Sequence, residues 1–107
     1  MSDASVSVSN WNACFNSNDN ILTLSCRITA EEGKETMSAV GLILNDGDGK
    51  TIASMYVELA ENNSLASPAL NVPGDGLAVG GQVVAAVSGE ADGQHFFFEQ
   101  RLTIENC

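Results

Sequence analysis

The sequence predicts an all-β fold, an antiparallel two-sheet sandwich of about seven strands. Three observations lead there. Short apolar segments alternate with turn residues along the 107-residue chain, at the spacing typical of sandwiches. Within those segments apolar residues recur at every second position, the period of a strand with one buried face. No segment carries an apolar stripe at helical period. The one helical candidate, Thr29 to Ser38, contains Gly33 and reads as a loop with at most one turn.

The strands follow in order. Ser5-Val6-Ser7-Val8-Ser9 alternates strictly, so Val6 and Val8 share a face. Asn16-Ser17-Asn18-Asp19-Asn20 is a turn. Ile21 to Thr29 sets Leu22, Leu24, Cys26 and Ile28 on one face, with Thr23, Ser25 and Arg27 on the other. A charged loop covers Glu31 to Glu35. Ala39 to Leu44 is a strand, Asn45 to Lys50 turns the chain, and Thr51 to Leu59 returns. Asn62-Asn63-Ser64 is a further turn. Leu65 to Val72 is a weaker strand that Pro68 confines to an edge or bulge. Pro73-Gly74-Asp75-Gly76 is a loop. Gln82 to Ser88 and Gln94 to Ile104 form the last hairpin, joined through Gly89-Glu90-Ala91-Asp92-Gly93. A chain of this length matches one domain, residues 1–107.

Fourteen acidic residues against four basic ones give a net charge of -10. That charge repels phosphate backbones and anionic membranes, which argues against nucleic-acid binding and membrane docking. It suits solubility at high concentration, metal cations or basic partners. No apolar run approaches the ~18 residues of a spanning helix. Met1-Ser-Asp-Ala-Ser has neither a basic nor an apolar segment, so no signal peptide is expected there; a leader already removed stays open.

Pairing residues across the two hairpins makes both faces of one sheet apolar. In the middle hairpin, Val40, Leu42 and Leu44 align with Ala53, Met55, Val57 and Leu59 as core, leaving Ile43, Ile52 and Tyr56 outside. In the last hairpin, Val84 and Ala86 align with Phe96, Phe98, Leu102 and Ile104 as core. Val83, Ala85, Val87, His95 and Phe97 then face outward. A register shift of one residue would exchange the faces and leave both apolar. The expected partner interface is therefore Ile43, Ile52, Tyr56, Val83, Val87, His95 and Phe97. Outer sheet faces are normally polar, and large exposed apolar patches mark partner sites. Burying ~600 Å² at ~25 cal/mol/Å² supplies about 15 kcal/mol before association costs, enough for a dimer. The competing reading is that the Glu31 to Ser38 loop covers this face.

Catalytic patterns are sparse. His95 is the sole histidine, no Gly-x-Ser-x-Gly elbow occurs, and the last strand separates His95 from Cys107. Paired carboxylates lie in turns, with little chain left to wall a hydrolase cleft. Asn45-Asp46-Gly47-Asp48-Gly49 fails as an EF-hand loop, with Met55 at the position that requires glutamate. A hairpin turn explains it better, and weak calcium binding by acidic loops stays open. Cys14, Cys26 and Cys107 match no zinc spacing. No cofactor, resident metal or catalytic residue is expected. Trp11, between Asn10 and Asn12, either plugs the end of the sandwich or forms a sugar platform with them. Asn62-Asn63-Ser64 matches a glycosylation acceptor.

Leu22-Thr-Leu-Ser-Cys26-Arg-Ile resembles the second strand of immunoglobulin-like domains, with its inward cysteine. The sequence departs from that family in having no tryptophan over Ala39 to Leu44 and no cysteine over Gln82 to Ser88. The resemblance implies that the first strand runs partly parallel to the last and ends at the same pole. Cys14 and Cys107 would then fall within the ~4–7 Å Cα range of a disulfide. That bond implies a secreted or extracellular protein; three reduced thiols would imply the cytoplasm, and an exposed Cys107 could instead link two copies. The functional expectation is a non-catalytic structural or interaction protein that binds itself or a protein partner. A carbohydrate-binding module on Trp11 is the alternative, with a small hydrolase behind it.

Overall fold

A computed structural model describes residues 6–30, 37–63, 65–91 and 93–107. Among the described residues the alternating pattern becomes nine strands: β1 (Val6–Asn16), β2 (Ile21–Ala30), β3 (Met37–Asp46), β4 (Thr51–Asn63), β5 (Leu65–Ala66), β6 (Ala69–Pro73), β7 (Gln82–Ala91), β8 (Gln94–Thr103) and β9 (Glu105–Asn106). One sheet runs β5-β2-β1-β9, with β6 also on β2; the other runs β4-β3-β7-β8. Pairing is antiparallel except between β1 and β9. The fold is the expected all-β sandwich, with two more strands than expected, the two-residue β5 and β9.

β5 and β6 share one edge of β2 and are separated by Ser67 and Pro68. Proline has no N–H to give the ladder, so the expected single strand is divided there. The charged loop expected over Glu31 to Glu35 lies outside the described residues. Where a turn is expected at Asn62-Asn63-Ser64, β4 continues through Asn63; Ser64 is also outside them.

The core lies between the sheets. β2 contributes Leu22, Leu24, Cys26 and Ile28, and β3 contributes Val40, Leu42 and Leu44, all buried as the alternation requires. β1 needs a correction of phase to join them. Ser9 pairs with Arg27 but Asn12 pairs with Ser25, so one extra residue is inserted between. Asn10 takes φ 56° there, a left-handed conformation that asparagine tolerates better than most residues. The bulge lets Val6 and Val8 point inward before it and Trp11, Ala13 and Phe15 after it.

The last hairpin differs from expectation. Ala91 pairs with Gln94, so two residues make the turn, not five, and Gly93 takes φ 79°. Asp92-Gly93 is a tight-hairpin sequence. Changing the loop from five residues to two reverses the parity of β7 against β8: Val83 now faces Leu102 and Val87 faces Phe98. Val83, Ala85 and Val87 are therefore core residues at 0% exposure. Val83 and Val87 do not belong to the outer face, while Val84 and Ala86, expected in the core, do. Gly89 lies within β7 because a side chain there would collide with the Phe96 ring and the Ala39 carbonyl.

After Thr103 the chain leaves β8 and crosses to the other sheet. Ile104 donates its N–H to the Gly81 carbonyl at 2.8 Å, and its own carbonyl accepts from Gly80 N–H at 2.8 Å. Its side chain is buried. β9 then pairs in parallel with the end of β1, Cys14 beside Glu105 and Phe15 beside Asn106. This brings Cys14 and Cys107 to a Cα separation of 5.0 Å, and they form a disulfide. Cys26 is free and buried.

Candidate functional site

The outer surfaces of the two sheets differ in chemistry. On β1 and β2 the outward positions are polar along most of their length, Ser7, Ser9, Asn12, Thr23, Ser25, Arg27 and Thr29, with Cys14 and Ile21 toward one end. Thr23 Oγ1 donates to Asn71 Oδ1 of β6 at 2.7 Å. This is the polar face expected toward water.

The outer face of the four-stranded sheet is built around one cross-strand row. Tyr56 of β4 pairs with Gly41 of β3, Gly41 with Ser88 of β7, and Ser88 with Phe97 of β8. Tyr56 and Phe97 are 64% and 60% exposed. Their Cα atoms are three strand spacings apart, about 14 Å. Gly41 and Ser88 form the floor between them. A Cβ at position 41 would crowd Ser88 Oγ at 3.3 Å and lie in ordinary contact with Tyr56 Cδ1 at 3.5 Å, so the tyrosine ring leans over the floor. The flanking rows are Glu58, Ala39, Glu90 and His95 on one side and Ser54, Ile43, Ala86 and Glu99 on the other. The face is thus a shallow trough with two aromatic walls, a floor of small residues and carboxylates beside both walls.

Of the seven expected interface residues, the fold brings Ile43, Ile52, Tyr56, His95 and Phe97 to this face. His95 Nε2 lies 3.3 Å from Glu90 Oε2. Gly41, Val84, Ala86, Ser88, Glu58, Glu90 and Glu99 complete it. Val84, Ala86, Ser88 and Glu90, all on β7, escaped the sequence reading because Asp92-Gly93, the signal for the true register, was absorbed into a longer loop. Gly41, Glu58 and Glu99 lie on strands whose phase the sequence conveyed and escaped because only apolar side chains marked the face. The proposed cover, Glu31 to Ser38, falls largely outside the described residues.

The sugar platform is not assembled. Trp11 packs against the core, whereas Asn12 alternates to the outside and Asn10 is exposed in the bulge. At the β3–β4 turn, Asp46 Oδ1 accepts from the N–H groups of Asp48 and Lys50, each at 2.9 Å. That carboxylate shapes the turn, with Gly49 at φ 91°. At the open β4–β5 edge of the sandwich, Val40, Met55, Val57, Leu65 and Pro68 line an apolar cleft of about 210 Å³.

No protein-family model matches the sequence, and no curated protein does either. Solved structures do match in shape. Catalytically inactive OgpA from Akkermansia muciniphila, in complex with an O-glycopeptide substrate, superposes with a TM-score of 0.60 at 12% identity, over 96% of this chain and 29% of that one. A DUF3823 family protein from Bacteroides ovatus gives 0.60 at 15% identity, over 94% of this chain and 55% of that one. The structural-genomics target SoR45 gives 0.53 at 14% identity, over 97% and 90%. What they share with this chain is the sandwich. The chain spans well under two thirds of the length of OgpA and of the DUF3823 protein.

Proposed function

We propose that this chain is a non-catalytic interaction domain, an immunoglobulin-like sandwich that docks a protein through the outer face of its four-stranded sheet. The observation that carries the reading is the exposure of Tyr56 and Phe97 in one row over a floor of Gly41 and Ser88. Exposed aromatics over small residues offer contact area at low ordering cost. A non-catalytic role accords with the placement of the reactive groups. His95 is exposed beside Glu90, while burial pushes the pKa of Cys26 to about 11, which suppresses the nucleophilic thiolate. The Cys14–Cys107 bond favours an oxidising, extracytoplasmic setting.

Sedimentation over a range of concentrations, with capture from the source extract, tests this for wild type and for Phe97→Glu. The expected result is a mass increase or a captured protein that the variant loses. Association that survives Phe97→Glu unchanged overturns the proposal.

A further inference from the structure

We infer that the occupant of this face is a basic polypeptide segment, its lysine or arginine side chains seated on Tyr56 and Phe97 among Glu58, Glu90 and Glu99. This rests on the docking face proposed above and names what it docks. The first argument is local charge. Both rows flanking the aromatic pair carry carboxylates: Glu58 and Glu90 in one, Glu99 in the other. His95 lies against Glu90, and Arg101 turns to Gln82, its Nη1 donating to Oε1 at 3.3 Å; one guanidinium against three carboxylates leaves the face negative. The faces of exposed phenyl and phenol rings attract cations, and nearby carboxylates add to that attraction.

The second argument weighs a second copy of the chain and finds it the poorer fit. Two copies meeting on this face would bring Glu58, Glu90 and Glu99 against their own counterparts, in molecules that each carry -10. Apolar burial would have to overcome that repulsion. With Val83 and Val87 in the core, the outward apolar groups reduce to Ile43, Ile52, Tyr56, Val84 and Phe97 around a small-residue floor. A cationic partner gains from the charges that oppose a second copy.

The test is a titration of the 107-residue, disulfide-bonded chain, labelled with nitrogen-15, with an Arg-Gly repeat peptide of about ten residues. Matched Ser-Gly and Glu-Gly peptides serve as controls. The expected result is amide shifts centred on Gly41, Ser88 and Phe97 with the Arg-Gly peptide alone. Binding should weaken roughly tenfold between about 50 mM and about 300 mM salt. Phe97→Ala leaves every charge in place and should weaken binding roughly threefold. Glu99→Gln leaves both rings in place and should do the same. Equal binding of the Ser-Gly peptide overturns the inference, as do shifts centred on the acidic turns at Asp46 or Asp75. Wild-type self-association abolished by Phe97→Glu would also overturn it while leaving the docking face standing. Failure of both the titration and the sedimentation experiment removes the face as well.

Discussion

Cys26 occupies a core position as a small apolar side chain, and its ionisation has a consequence for stability. Burial raises its pKa from 9.0 to about 11, because the thiolate would lose its hydration. The folded state therefore holds the proton more tightly than the unfolded chain does. The resulting stabilisation is complete below pH 9.0 and is lost as the pH rises through about 11. Denaturation midpoints measured across that window should fall more steeply for wild type than for Cys26→Ala; parallel slopes would contradict the assignment. The same residue illustrates what was legible beforehand. Leu22, Leu24, Cys26 and Ile28 were assigned to the core from alternation alone, because β2 is buried on one face and wet on the other. Gly89 was not legible. Glycine serves both turns and close packing, and only the Phe96 ring and Ala39 carbonyl reveal which applies here.

Two elements owe their register to one or two residues each. In β1 the extra residue at the bulge restores the apolar phase, and Asn10 carries its left-handed backbone. Asn10→Val should destabilise by roughly 1–2 kcal/mol, since a β-branched side chain is strained at positive φ. Asn10→Gly should stay near wild type or exceed it. Urea unfolding of the two variants checks this, and a valine variant as stable as the glycine one would refute it. In the β7–β8 hairpin the turn decides which of two apolar sets is buried. Val83, Ala85 and Val87 compete with Val84 and Ala86, and side-chain chemistry hardly separates them. The sequence therefore conveyed the strands and the sheet but not the phase of β7. The aromatic walls were legible because Tyr56 and Phe97 sit on strands whose phase was read correctly. The Ser88 half of the floor was not, because it depends on the phase of β7.

For the whole molecule, the Cys14–Cys107 bond joins residues 93 apart in sequence. Closing so long a loop removes conformational freedom from the unfolded chain and stabilises by roughly 3–5 kcal/mol in the chain-entropy model. Thermal unfolding of Cys14→Ser/Cys107→Ser against wild type measures that contribution, which should appear as a lower midpoint with the strand content retained. An unchanged midpoint would contradict it. Thiol counting in denaturant without reductant should find Cys26 alone, and all three cysteines after reduction.

The same bond governs how the sandwich would respond to tension. A pull applied ahead of Cys14 and at Cys107 passes directly from sulfur to sulfur. Every strand from β2 to β8 lies inside the loop that the bond closes, so none of them carries load. Stretching would peel the leading part of β1 and then stop at a covalent link, with the aromatic trough on the far sheet undisturbed. Only a reductant would expose the remainder of the chain to force.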